Sequence, residues 1–121
     1  VKRFLDKIWK SYVKRQDGFV FVIDSTDEKN FKNACNQLSF VIDFISNPRK
    51  PILVLFNKID KETTDLDFLI EQFHLKKLKK RHRRVKWYLI SAKTRTGIFP
   101  SFEWLANRIF TNILQNVAWN V

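Results

Sequence analysis

The sequence is short of the residues that several classes of binding site require. It has two glycines, Gly18 and Gly97, in 121 residues, and it contains no phosphate-binding loop of the Gly-x-x-x-x-Gly-Lys-Ser/Thr type. Its one cysteine, Cys35, excludes an internal disulfide and suits a reducing compartment. The longest purely apolar runs, 19–23 and 52–56, hold five residues each, whereas about 20 are needed to cross a bilayer.

Methionine and metal-binding patterns are missing as well. The chain begins with Val1 and contains no Met, so we expect it to be processed or to be a piece of a longer protein. The two histidines, His74 and His82, stand without the Cys, His or Asp spacing that builds a metal site. We therefore predict no metal site built by this chain, and we assign no catalytic residue.

Length and aromatic content favour one folded domain. A chain of 121 residues suits a single domain, and 45% of its residues are hydrophobic, including twelve Phe. A disordered basic tail would lack so many large apolar side chains. The sequence therefore predicts a domain with a core of its own.

Positive charge is concentrated in one segment. The net charge is +11, and the segment 76–86 carries eight cations and no acid, which leaves +3 for the rest of the chain. We weigh three interpretations of this segment: a solvated helix-to-strand connection, a contact with an acidic protein or anionic lipid, and nucleic-acid binding. No aromatic residue interleaves with the run, which disfavours the stacking of single-stranded nucleic acid.

Apolar patterns predict alternating helices and strands. Continuous runs at 19–23 and 52–56, and a weaker one at 85–90, predict parallel strands buried on both faces. Three-four apolar spacing predicts helices at 4–13, 27–46 and 65–74, and a last helix from Pro100 with Phe102, Leu105, Ala106, Ile109, Phe110 and Ile113 inward. Ser25 or Asp27 is the expected cap of the second helix. The order predicts an α/β fold with a parallel sheet.

Two of the predicted strands are followed by residues suited to guanine. The Asp60 carboxylate can accept from guanine N1–H and its amino group together, whereas adenine lacks that donor pair. The Asn57 amide can donate to the base, the stems of two lysines can cover its faces, and the Ala92 N–H can donate to guanine O6. The alternative is that Asn57 and Asp60 only form a turn. The candidate base-binding residues are Asn57, Lys58, Asp60, Ser91, Ala92 and Lys93.

These motifs resemble the fourth and fifth sequence boxes of the small GTPases. More narrowly, the chain resembles the ADP-ribosylation-factor-like (Arf-like) family from Arg3 to about Phe110. The sequence of residues 50–55 is most similar to that of the ciliary Arf-like subgroup. Sar-type coat GTPases also contain Asn-Lys-Ile-Asp. The stretches that carry the resemblance are Ile8–Tyr12, Asp17–Asp27, Lys50–Lys58 and Phe102–Leu105.

The resemblance implies a three-layer P-loop-GTPase-like fold of which 1–121 is the C-terminal portion, with the last three strands and their helices. It implies GTP or GDP as ligand, with Mg²⁺ only where the N-terminal part is present. It also implies a molecular switch in membrane traffic or ciliary function, with regulatory and effector proteins as partners. The implied location is intracellular, either cytoplasmic, peripheral to a membrane or ciliary.

The same resemblance limits what this chain can do by itself. An ungapped alignment places Lys2 where the family has the Gln that orients the attacking water. Without that Gln and without the phosphate loop, we expect no GTP hydrolysis by the chain alone. The alternative function is a non-catalytic, truncated GTPase-like module that binds an acidic protein or anionic lipid through 76–86.

Overall fold

The fold is a small parallel sheet with helices on its faces, as the alternating pattern predicts. The computed structural model describes residues 11, 14–45, 47–57, 65–82, 84–91 and 93–119, with side chains through 114. The described elements are β1 (Phe19–Asp24), a 3-10 turn (Glu28–Asn30), α1 (Phe31–Asp43), β2 (Ile52–Asn57), α2 (Leu66–Gln72), α3 (Leu75–Arg81), β3 (Val85–Ile90) and α4 (Ile98–Trp119).

β2 is the central strand of the sheet. The strand order is β1-β2-β3 and both pairings are parallel, with Asp24 beside Asn57 and Asn57 beside Ile90. Every residue from Ile52 to Phe56 is 0–1% exposed. A strand covered on both faces needs apolar side chains at every position, so the continuous run is explained and the burial predicted for 52–56 is confirmed.

Two hydrophobic clusters lie on opposite faces of the sheet. On one face, Val54 and Phe56 of β2 pack with residues of α1, α2 and α3, and the Phe73 ring lies 5.2 Å from Phe31 and 5.4 Å from Phe56. The half-buried Cys35 packs against this cluster. On the other face, Leu53 and Leu55 pack with Leu105 of α4. Alternation along β2 therefore sends successive side chains to different helices.

β1 differs from the prediction of burial on both faces. Its residues alternate, with Val20 39% and Val22 64% exposed, while Phe21 packs against the α1 cluster. Val20 and Val22 are in register with Leu53 and Leu55, so they lie on the face that α4 covers over β2. Among the described residues, the cluster on that face includes none from β1. The prediction that β1 is buried on both faces was therefore wrong for one of them.

α4 also leaves part of its predicted inward stripe exposed. The helix begins at Ile98 rather than at Pro100, because Pro is tolerated in the first turn. Leu105 is buried and Ile109 is half-buried, as predicted. The remaining four predicted inward residues are exposed: Phe102, Ala106, Phe110 and Ile113. Their exposure, like that of Val22, follows from the absence of a facing layer among the described residues.

The segment before β3 holds two helices where the pattern predicted one helix and a connection. α2 ends at Gln72, and His74 takes a left-handed conformation with φ 52° before α3 begins at Leu75. Leu75 is fully buried and Leu78 packs beside it, so α3 has an apolar side despite its charge. The cations of α3 are exposed, as a solvated segment would be, but 76–81 are helical rather than an irregular connection, because Leu and Lys are good helix formers.

Both ends of α1, and the segment before β1, were predicted differently from what the structure describes. A 3-10 turn precedes the helix, which ends at Asp43 rather than at Ser46, a residue outside the described ranges. Neither predicted cap acts as one: Asp27 precedes the 3-10 turn without a side-chain bond, and the Ser25 hydroxyl bonds elsewhere. The helix predicted over 4–13 lies outside the described residues except for Ser11.

Gly97 is required by the backbone at the start of α4. Its φ is +78°, and a Cβ there would stand 2.9 Å from the Leu89 carbonyl oxygen. We expect Gly97→Ala to lower the free energy of unfolding by roughly 1–3 kcal/mol, measured by denaturant titration. Gly18→Ala is the comparison, because its Cβ would meet flexible side chains of Ile109 and Leu105 instead. An equal or smaller loss for Gly97→Ala would contradict this assignment.

Candidate functional site

The carboxyl ends of the three strands place several of the predicted residues at one edge of the sheet. Asn57 ends β2, beside Asp24 at the end of β1 and beside Ile90, which directly precedes Ser91. Neighbouring strands lie about 4.8 Å apart, so these strand ends are adjacent. Asn57 is half-buried, Ser91 is buried and Lys93 is exposed. The other three predicted residues, Lys58, Asp60 and Ala92, lie outside the described residues.

Ser25 holds the backbone of Asn57 in place. The Ser25 hydroxyl donates to the Asn57 carbonyl oxygen at 2.7 Å, and the Ser25 N–H donates to the same oxygen at 3.2 Å. Two donors occupy both lone pairs of that oxygen, and Ser25 itself is buried. The residue that precedes Lys58 is therefore fixed from the neighbouring strand. Sequence reasoning missed this role because it depends on the register between β1 and β2.

The turn that carries Ser25 is closed by Asp24. Its carboxylate accepts from the Thr26 hydroxyl at 2.6 Å and from the Thr26 N–H at 2.9 Å. The bond from the Thr26 hydroxyl contributes most, and that from the Thr26 N–H contributes less, to holding the pKa of Asp24 below its ordinary value of 3.8. The carboxylate is therefore ionised at neutral pH, and any stability from these bonds is lost only as the pH falls below that value.

The loop after β3 is closed on itself. The Ser91 N–H donates to the Thr96 carbonyl at 3.0 Å, and the Thr94 N–H donates to the Ser91 hydroxyl at 3.3 Å. The Thr94 and Thr96 hydroxyls are 2.8 Å apart, and Arg95 has a φ of 62°. The Ser91 hydroxyl therefore helps to shape the loop by accepting from the Thr94 N–H. The short loop keeps Lys93 close to the end of β3.

Two further properties of the described residues bear on the site. They bring together no group of three His, Cys, Asp or Glu side chains that could hold a metal ion. Within the same described ranges, no helix has the length and apolar character to cross a membrane.

Removing the Ser25 hydroxyl tests how firmly this edge is held. In Ser25→Ala the Asn57 carbonyl keeps one donor of two, so we expect the free energy of unfolding to fall by about 0.5–1.5 kcal/mol. Hydrogen–deuterium exchange of the amides around Asn57 should quicken as well. Thr111→Ala on α4 is the matched control, because its hydroxyl also donates to a backbone carbonyl, that of Asn107, away from this edge. Equal acceleration near Asn57 in both variants would contradict the role given to Ser25.

Comparison with known proteins finds relatives in one family. The sequence model of the ADP-ribosylation factor family matches residues 2–109. The chain is 27% identical over 110 residues to the small COPII coat GTPase SAR1 of Giardia intestinalis, covering 83% of this chain and 58% of that protein. It is 31% identical over 99 residues to ADP-ribosylation factor-like protein 8b of Arabidopsis thaliana, covering 81% and 53%.

A third relative extends the same pattern. ADP-ribosylation factor K of Dictyostelium discoideum is 29% identical over 105 residues, which cover 84% of this chain and 54% of that protein. The chain thus spans between 53% and 58% of the length of these three curated relatives. With the family model matching nearly its whole length and a parallel α/β sheet in place, the chain belongs to the ADP-ribosylation factor (Arf) family of small GTPases.

Proposed function

We propose that this chain supplies the guanine-recognising part of an Arf-family switch that binds GTP or GDP. The observation that carries the proposal is the adjacency of the β2 and β3 carboxyl ends, where Asn57 and Ser91 stand on neighbouring strands. Ligands of open α/β sheets bind at this edge. The fixed carbonyl of Asn57 and the closed loop after Ser91 would pre-organise both sides of a base pocket.

Each candidate residue has a role in this proposal. Asp60 would accept from guanine N1–H and the amino group, and the Ala92 N–H would donate to guanine O6. The Asn57 amide would donate to the base, while the stems of Lys58 and Lys93 would cover its two faces. Ser91 would hold the loop that carries Ala92 and Lys93, since its hydroxyl accepts from the Thr94 N–H.

We propose further that 1–121 is the C-terminal portion of a single small-GTPase domain. Two observations support this: the chain spans little more than half of its relatives, and β1 exposes Val22 on a face whose neighbour β2 is buried. The phosphate loop and the residues that hold Mg²⁺ would lie in the preceding part. An in-frame phosphate loop in the upstream coding sequence supports this proposal, and an upstream stop codon contradicts it.

The cellular role would be that of a switch at a membrane. We propose regulatory and effector proteins as partners, and membrane traffic or ciliary function as the process. The likeness of 50–55 to the ciliary subgroup is the support for a cilium. Imaging of the full-length protein with a fluorescent tag would separate ciliary from other peripheral membrane locations.

A second candidate function is favoured by the charge of α3. Four lysines and Arg81 occupy 75–81 with no acid among them, so the chain could serve as a non-catalytic binding module through 76–86. Such a module would need neither phosphate loop nor nucleotide. Guanine-nucleotide binding by the full-length protein discriminates between the two functions.

Asp60→Asn tests base recognition in the full-length protein. An amide offers one donor and one acceptor where guanine needs two acceptors, so affinity for GDP should fall by about 100-fold or more while affinity for xanthosine diphosphate rises. Nucleotide titration by fluorescence measures both. Asp67→Asn, an exposed carboxylate on α2, is the control and should change neither. An unchanged preference for guanine would overturn the assignment of Asp60.

Val22→Asp tests whether β1 is covered in the full-length protein. In the 121-residue chain Val22 is 64% exposed, so the substitution should cost at most about 1 kcal/mol. In the full-length protein it would bury an unpaired charge and cost about 3 kcal/mol or more in unfolding titrations. Phe68→Asp on α2 is the control, with a similar cost in both proteins. An equal loss of unfolding free energy for Val22→Asp in the two proteins would contradict the proposal that 1–121 is a portion of a larger domain.

A further inference from the structure

The strongest feature outside the candidate site is a basic face beside the edge strand β3. We define the basic face as Lys76, Lys77, Lys79, Lys80 and Arg81 of α3. All five side chains are exposed. Among the described residues, Arg81 is the one member with an ion pair, to Asp43 at 2.9 Å. The face therefore keeps four lysines whose charge no described acid neutralises at contact distance.

Like charges on this helix repel one another. Lys76 and Lys80 are four residues apart, as are Lys77 and Arg81, and like charges at that spacing are destabilising. The helix dipole gives no consistent compensation, because it disfavours the cations of the first turn and favours those of the last turn. Leu75 and Leu78 fix the helix to the core. A cluster of mutually repelling charges points to a use outside the fold.

One of these lysines is supported where α3 meets β3. The Lys79 ammonium lies 5.5 Å from the centroid of the Trp87 ring, a cation–π contact that holds this charge against the protein surface. The Trp87 ring is half-buried, so it is not free to stack on nucleotide bases. Lys86 lies on the other face of the sheet, in register with Leu53, and its ammonium is 5.3 Å from the Tyr88 ring there.

We propose that the basic face docks on an anionic lipid surface. Lysine is a hydrated point charge without the planar fork that selects a single carboxylate or phosphate, and the one arginine is already paired with Asp43. Such a set of charges suits the diffuse potential of acidic headgroups. An acidic peptide settling into the cleft between α2 and α3, of about 510 Å³, would meet Asp67 and Glu71 there. A flat bilayer surface would rest across the exposed lysines without entering that cleft.

Vesicle binding by the 121-residue chain tests the proposal. The assay needs no nucleotide, so its result is independent of the proposed guanine site. The probes are phosphatidylcholine vesicles with and without about 30% phosphatidylserine. We expect binding to the anionic vesicles alone, falling steeply as salt rises from about 0.05 to about 0.3 M. Vesicles matched in charge with a phosphoinositide should bind equally well, because no headgroup pocket is involved.

Two charge-matched variants locate the binding face. Lys76→Gln/Lys77→Gln/Lys80→Gln should weaken binding by about 100-fold, or about fivefold for each charge. Lys14→Gln/Lys29→Gln/Lys32→Gln removes three exposed charges elsewhere and should weaken it by less than about threefold. The first variant should also unfold at the same or a higher denaturant concentration than the parent chain, because it loses repelling pairs.

Several outcomes would overturn the proposal. Absence of binding to anionic vesicles at low salt would contradict it. Equal losses of vesicle affinity in the two triple variants would also contradict it, because net charge would then explain the binding. Binding to polyglutamate but not to the vesicles would assign the face to an acidic protein. Tighter binding to a single-stranded RNA oligonucleotide than to the vesicles would assign it to nucleic acid.

Discussion

Parallel pairing on both sides of β2 is the constraint on which the other features depend. Because β2 is fully buried, each of its side chains must meet either the α1–α3 layer or α4, and its backbone must be bonded to β1 and β3. The register then aligns the ends of all three strands. Asp24, Asn57 and Ser91 reach one edge as a consequence of this packing, before any ligand is considered.

The fold places the last turn of α3 at the opposite end of the sheet from that edge. α3 ends at Arg81 and leads into the start of β3, so its C-terminal end lies towards the amino ends of the strands. His82 agrees with this placement, since its Nε2 lies 2.9 Å from the Lys50 carbonyl just before β2. Arg81 likewise reaches Asp43 at the end of α1.

The features of the fold that depend on a local sequence pattern were predicted correctly. The three strands, the parallel order and the placement of Asn57 and Ser91 at strand ends follow from apolar runs bounded by polar residues. The exposure of Val20 and Val22 could not be read from the run 19–23, because a strand side chain is buried only if another layer faces it. The bond from Ser25 to Asn57 depends on register, which joins residues 32 positions apart.

The unpaired side of β1 has a consequence for the handling of this chain. Among the described residues β1 pairs with β2 alone, and its other edge, next to the exposed Val22, meets no described strand. A strand edge of this kind, without Lys or Pro to block it, can add a strand from another molecule. Concentrated solutions of the chain would then lose protein to intermolecular sheets, and an added peptide that occupies this edge would keep it monomeric.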